Sequence, residues 1–156
     1  MERSPQSCRQ VYSRARRHLA AAGPPDGAGA DRTSVAEALV DALHRADVAR
    51  VEALLAADVR FHADGGGRAP AIAHPLEGAE AVARFLLGLA RRGARFGLQL
   101  DVIEANGGPA LRARGADGAW LAVMAVQVAG GRVLGLQNQI NPDKLAHLGQ
   151  VGTSRP

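Results

Sequence analysis

The sequence predicts an α+β domain, with helices on one face of a curved, mainly antiparallel sheet. Three observations carry that expectation. Apolar residues recur at helical spacing through the first half of the chain and alternate through the second half. Asn106-Gly107-Gly108, Ala116-Asp117-Gly118 and Gly130-Gly131 then divide the second half into hairpin-length strands. Apolar residues make up 47% of the chain but aromatics only 3%, so Leu, Val and Ala must fill the core. A length of 156 residues suits one such domain with a short appendage.

Taken in order, residues 4–21 read as a helix: Ser4 can cap it, Pro5 suits its first position, and Cys8, Val11, Tyr12, Ala15 and Leu19 share a stripe. Residues 22–32 are the linker, and 33–148 the main domain. A helix is expected to open at Thr33 or Ser34, with Glu37 completing a capping box and Val35, Leu39, Val40 and Leu43 inward. A second helix follows over 47–57, burying Val48, Val51, Leu54 and Leu55. Residues 58–64 form a strand with Val59, Phe61 and Ala63 on one face and Arg60, His62 and Asp64 on the other. After a glycine- and proline-containing loop, residues 78–91 make a third helix with Val82, Phe85, Leu86 and Leu89 inward. Strands at 95–105 (Phe96, Leu98, Leu100 and Val102 on one face), 110–114, 119–128 and 132–140 complete a four-stranded meander. Asn141 and Pro142 open a short closing helix with Leu145 and Leu148 inward, and 149–156 are expected to be a disordered tail.

Charge is concentrated at one end. Residues 1–19 hold five Arg against Glu2, whereas the remaining 137 residues balance 14 basic with 14 acidic side chains, so the net +4 lies entirely in the first segment. Such a segment attracts phosphate backbones. No apolar run approaches the roughly 20 residues of a membrane span. Cys8 is the lone cysteine, which excludes an intrachain disulfide and a cysteine metal cluster. The expectation is a cytoplasmic protein with no cofactor, no metal and no membrane partner.

Three motifs stand out. Asp64-Gly65-Gly66-Gly67-Arg68 lacks the Gly-Lys-Ser/Thr ending of a phosphate loop, so it reads either as a flexible strand-end loop or as a contact surface for another protein segment. Asn141-Pro142-Asp143-Lys144-Leu145 is explained by helix initiation alone: Asn caps, Pro starts, and Asp favours the positive end. The stretch SPQSCRQVYSRARRHL reads by composition as a solvated basic helix.

Read together and in order, these motifs resemble SigJ-type extracytoplasmic-function RNA polymerase sigma factors. SPQSCRQVYSRARRHL is similar to the second, DNA-reading helix of the region 4 helix-turn-helix, which binds the promoter −35 element. HADGGGRAPA, NGGPALR and NPDKLAHL resemble motifs of that group's C-terminal extension. The fold so implied is the cone-shaped SnoaL-like, or nuclear transport factor 2-like, fold.

The resemblance implies a regulatory domain of a sigma factor. Asp64, Gly65, Gly66, Gly67 and Arg68 would be the contact loop facing the linker between regions 2 and 4, and Asn141, Pro142, Asp143, Lys144 and Leu145 a second regulatory element. Arg9, Gln10, Arg14, Arg16 and Arg17 would be the DNA-binding remnant. RNA polymerase core, promoter DNA and sigma regions 2 and 4 are the partners implied for the full-length parent. A recognition helix without its bracing helix is expected not to bind a promoter alone.

SnoaL-like folds also host enzymes and ligand-binding proteins. Acid–base candidates are His62, Asp64, Asp101 and Glu104, and pocket candidates are His62, Trp120 and Asn138, with Gln137 beside them. No nucleophile–base–orienter set and no metal-ligand spacing stands out, so no catalytic residue is assigned. A small molecule in the cone and a homodimer through the sheet are the further partners the fold permits.

Overall fold

The structure, a computed structural model, describes residues 29–152. The basic segment at 4–21, most of the linker and residues 153–156 lie outside the described residues.

Helix α1 spans Gly29–His44. It takes in residues 29–32, which the sequence assigned to the linker, and Asp31 in its first turn complements the positive helix end. Ser34 and Glu37 therefore sit inside the helix and not at its start. Ala36, Leu39, Val40 and Leu43 form its buried face. Helix α2, Val48–Leu54, is capped by Asp47, whose carboxylate accepts from Arg50 N at 3.0 Å. It stops short of the expected residue 57 because Leu55 turns extended and begins strand β1, Leu55–Asp64. Pairing of Leu55 with Val133 overrides the helical spacing there.

Strand β1 buries Val59 and Phe61 and exposes Arg60 and His62. A two-residue strand β2, Leu76–Glu77, pairs antiparallel with it and joins Glu77 to Arg60 across 3.2 Å. Helix α3, Ala79–Arg95, turns Val82, Ala83, Leu86 and Leu87 inward. Phe85 is partly buried and its ring lies 4.9 Å from that of Phe61. Leu89, expected inward, is exposed, because the register of the helix places Leu87 on the core face instead. The helix also runs four residues past its expected end. The next strand therefore starts at Gln99, and Phe96 stands 72% exposed at the helix end.

Strands β3 (Gln99–Ala105), β4 (Gly108–Arg114), β5 (Trp120–Ala129) and β6 (Arg132–Gln139) form the expected meander. The complete sheet has the order β2-β1-β6-β5-β4-β3. Every neighbouring pair is antiparallel except β1 and β6, which run parallel. The helices pack on the inner face, where Leu39, Leu43, Phe61, Leu86, Leu111, Met124, Val126 and Leu136 belong to one buried cluster.

Helix α4, Pro142–Leu145, and a 3-10 turn, Ala146–Leu148, close the domain; Leu145 is buried and Leu148 is not. The beginning of the expected disordered tail is ordered. Trp120 N donates to Gln150 O at 2.8 Å and Gly152 N to Trp120 O at 2.9 Å. Strand β6 has ended at that level, so these residues satisfy main-chain groups of β5 that would otherwise lack a neighbour. Among the described residues, no helix is long and apolar enough to cross a membrane.

Candidate regulatory contact site

The parallel pairing of β1 and β6 ends with Asp64 beside Gln139. The chain then diverges: β1 enters the glycine loop while β6 enters the Asn141 turn. Two motifs far apart in sequence thus leave the sheet side by side.

Asp64 organises the junction. Its Oδ1 accepts from Gly66 N at 2.9 Å, and its Oδ2 accepts from Lys144 Nζ at 2.6 Å and Gln139 Nε2 at 3.1 Å. Its main-chain oxygen accepts from Ile140 N at 3.0 Å. Gly65 O then receives Arg68 N and Ala69 N, closing a tight turn through Gly66 and Gly67, whose φ values are +58° and +70°. The Arg68 guanidinium grips the Asp143 carboxylate with two parallel hydrogen bonds, both 3.0 Å.

Asn141 sits beneath this turn and is only 8% exposed. Its Oδ1 accepts from Asp143 N at 3.0 Å, which caps α4, and its own N–H donates to Gln139 Oε1 at 3.0 Å. Its amide nitrogen occupies the space that a side chain at residue 66 would need: a Cβ on Gly66 would lie 2.1 Å from Nδ2. The two motifs therefore interlock through two ion pairs, a shared glutamine and a close steric fit.

These contacts shift the acids. The Lys144 ammonium, then Gln139 and the Gly66 amide, hold the Asp64 carboxyl below the usual carboxylate range. Arg68 does the same for Asp143, and Asp143 in turn raises the Arg68 guanidinium. Both acids are ionised at neutral pH.

The pocket candidates do not come together. Asn138 pairs with Met124 and Ala63 on the inner face, where its Oδ1 is buried without a hydrogen-bond partner among the described residues. His62 is exposed on the opposite face beside Gln137. Trp120 is on that outer face too, against the Arg112 guanidinium, 5.4 Å from the ring centre. The acid–base candidates are likewise dispersed. Asp64, Gln139, Val123, Arg112 and Asp101 form one row across five strands, so the two aspartates stand about 19 Å apart at normal strand spacing. Asp101 is paired with Arg112, which lowers its pKa, and has Arg114 at 4.0 Å. Glu104 is exposed. A groove of ≈ 230 Å³ lies elsewhere, between α2 and α3, lined by Val48, Glu52, Glu80, Arg84, Leu87 and Arg91. Arg9, Gln10, Arg14, Arg16 and Arg17 lie outside the described residues. The sequence reading missed Gln139, whose role depends on a parallel strand pairing that no local pattern announces.

The chain belongs to the SnoaL-like domain family, whose model matches residues 36–133. Its more particular likeness is to a sigma factor. It is 33% identical over 150 residues to the ECF RNA polymerase sigma factor SigJ of Mycobacterium tuberculosis, covering 88% of this chain and 47% of that protein. The crystal structure of that sigma factor matches with a TM-score of 0.62 and 31% identity, over 92% of this chain and 52% of the other. The chain thus spans about half the length of this curated relative. A nuclear transport factor 2-like protein of unknown function from Mesorhizobium loti matches with a TM-score of 0.54 at 17% identity, over 76% of this chain and 97% of that one. A de novo designed protein with a curved β-sheet matches with a TM-score of 0.53 at 17% identity, over 78% and 93% respectively. These two share the fold alone.

Proposed function

We propose that this domain regulates an ECF sigma factor, with the surface built from Asp64–Arg68 and Asn141–Leu145 meeting the linker between sigma regions 2 and 4. One observation supports this reading above others. The two motifs that resemble the sigma-factor extension, about 75 residues apart in the chain, interlock in one surface. A pair of unrelated helix-start and loop signals has no reason to do so. In the full-length parent the partners are RNA polymerase core and promoter DNA, and the domain's effect is on transcription initiation. Arg9, Gln10, Arg14, Arg16 and Arg17 belong to the recognition helix of region 4 in this reading.

The test is Asp64→Ala in the full-length sigma factor, read by a promoter reporter alongside circular dichroism of the 156-residue chain. Promoter output should change several-fold while the spectrum keeps its folded form. Unchanged output from a variant that has lost the loop contacts would remove the regulatory role.

A further inference from the structure

The regulatory-contact reading leaves open which atoms of the site meet the partner, and the inference here rests on that reading. We propose that Asn141, Asp143 and Lys144 are positioning residues that hold the glycine loop, and that the loop meets an uncharged stretch of polypeptide through its main chain at Gly66 and Gly67.

The four charged side chains of the two motifs neutralise one another. Asp64 is paired with Lys144 and Arg68 with Asp143, the latter through both guanidinium–carboxylate contacts. The site carries no net charge, so it gives a charged partner no long-range attraction. The main chain is the reverse case. Among the described residues, Gly67 N–H and the carbonyls of Gly66 and Gly67 make no hydrogen bond. Both glycines are exposed, and nothing lies within 4 Å of where a side chain on Gly67 would begin. Pro70 and Ala71, exposed and uncharged, continue the surface. Such a loop offers hydrogen-bonding groups at close approach and no electrostatic steering. It fits a segment with free main-chain groups and small side chains at the nearest point. On the other side of the junction, Asn141 is buried and acts on the loop from beneath, which is support and not contact.

Reversing an ion pair separates the two roles. Arg68 and Asp143 are the pair to use, because Asp64 also accepts from Gly66 and Gln139 and cannot be replaced by a cation without losing those bonds. The measurements are promoter output from the full-length sigma factor carrying Arg68→Asp, Asp143→Arg, both together, or Gly67→Asn. Thermal denaturation of the same variants in the 156-residue chain accompanies them. Asparagine tolerates the left-handed backbone at residue 67 while adding bulk. Each single reversal should shift output about threefold or more, and the double should return within about twofold of the wild type, since coupled residues are non-additive. Gly67→Asn should shift output with the melting temperature unchanged. If the single reversals act and the double does not recover, the charges are read directly and the positioning role is overturned. If Gly67→Asn leaves output unchanged while the reversals act, the main-chain contact is overturned. If no variant acts, including Asp64→Ala, the regulatory reading itself falls.

Discussion

Gly66 and Gly67 share a left-handed backbone but have different surroundings. At Gly67 an added methyl group meets open space, so Gly67→Ala should cost only the backbone penalty, about 1–2 kcal/mol. At Gly66 the methyl group would collide with the buried Asn141 amide as well, adding about 1–3 kcal/mol of overpacking. Thermal denaturation of the two variants should therefore rank Gly66→Ala clearly below Gly67→Ala; equal melting temperatures would contradict the interlock. The acids of the site make a second expectation. Asp64 and Asp143 titrate lower when folded than when unfolded, so the unfolded chain binds more protons in acid and folding is weakened as pH falls. Their contribution is complete above the ordinary carboxylate pKa, about 4, and is lost on passing down through the lowered folded values. Amide exchange at Gly66 N–H, which donates to Asp64, should show loop opening unaltered between pH 8 and 5 and increased only below about pH 4. Opening near neutrality would mean that the carboxylates do not hold the loop.

Caps and strand registers decide what the elements can do for the site. Asn141 caps α4 and supports the loop at once, so Asn141→Ala should lower stability by about 1 kcal/mol for the cap alone. It should also speed amide exchange at Gly66, 75 residues away in the chain but packed against the Asn141 side chain, which a mere cap would not do. Much of this level was legible from the sequence. Period-two alternation and the Asn106–Gly108 and Gly130–Gly131 turns located the meander, and the Asn141-Pro142 start located α4. Boundaries failed where distant partners decide them: Leu55 joins a strand because Val133 is beside it, and α3 continues to Arg95 through residues with no apolar stripe to mark its end. The motifs at 64–68 and 141–145 could be found singly by composition and jointly by resemblance. Their contact could not, since β1 and β6 are separated by four intervening strands in the chain. The pocket grouping of His62, Trp120 and Asn138 fails on strand geometry: alternation puts His62 on the face opposite Phe61, and the bulge between Ala113 and Arg114 leaves Trp120 on that outer face, while Asn138 faces inward.

On the scale of the whole molecule, one aliphatic cluster with Phe61 at its centre ties helices to sheet. Phe61 is fully buried on β1 and touches the Phe85 ring of α3, so Phe61→Ala should cost about 3–5 kcal/mol, measured by urea unfolding of the chain. The site lies at the end of the same strand, so this variant should loosen the loop in proportion to its loss of global stability and not selectively. The full excess charge lies in residues 1–19, apart from this balanced body. On the proposed reading of residues 1–19 as a phosphate-attracting segment, anisotropy titrations should find the 156-residue chain binding a −35 duplex and its scrambled counterpart equally, with an affinity that falls with salt. Preference for the promoter duplex would overturn a binding mode set by charge alone.

The parallel seam between β1 and β6 also sets an order in time. Asp64 emerges from the ribosome 75 residues before Gln139 and 80 before Lys144. At about 5–20 residues per second, the nascent glycine loop waits roughly 4–16 s for the groups that fix it. Through that interval the Asp64 carboxylate lacks Gln139 and Lys144, and the Arg68 guanidinium lacks Asp143. A translation product that stalls within β5 would carry the loop without its anchor. The loop acquires its final form only after residue 144 has been synthesised, which makes it a molecular record of how far synthesis of the domain has gone.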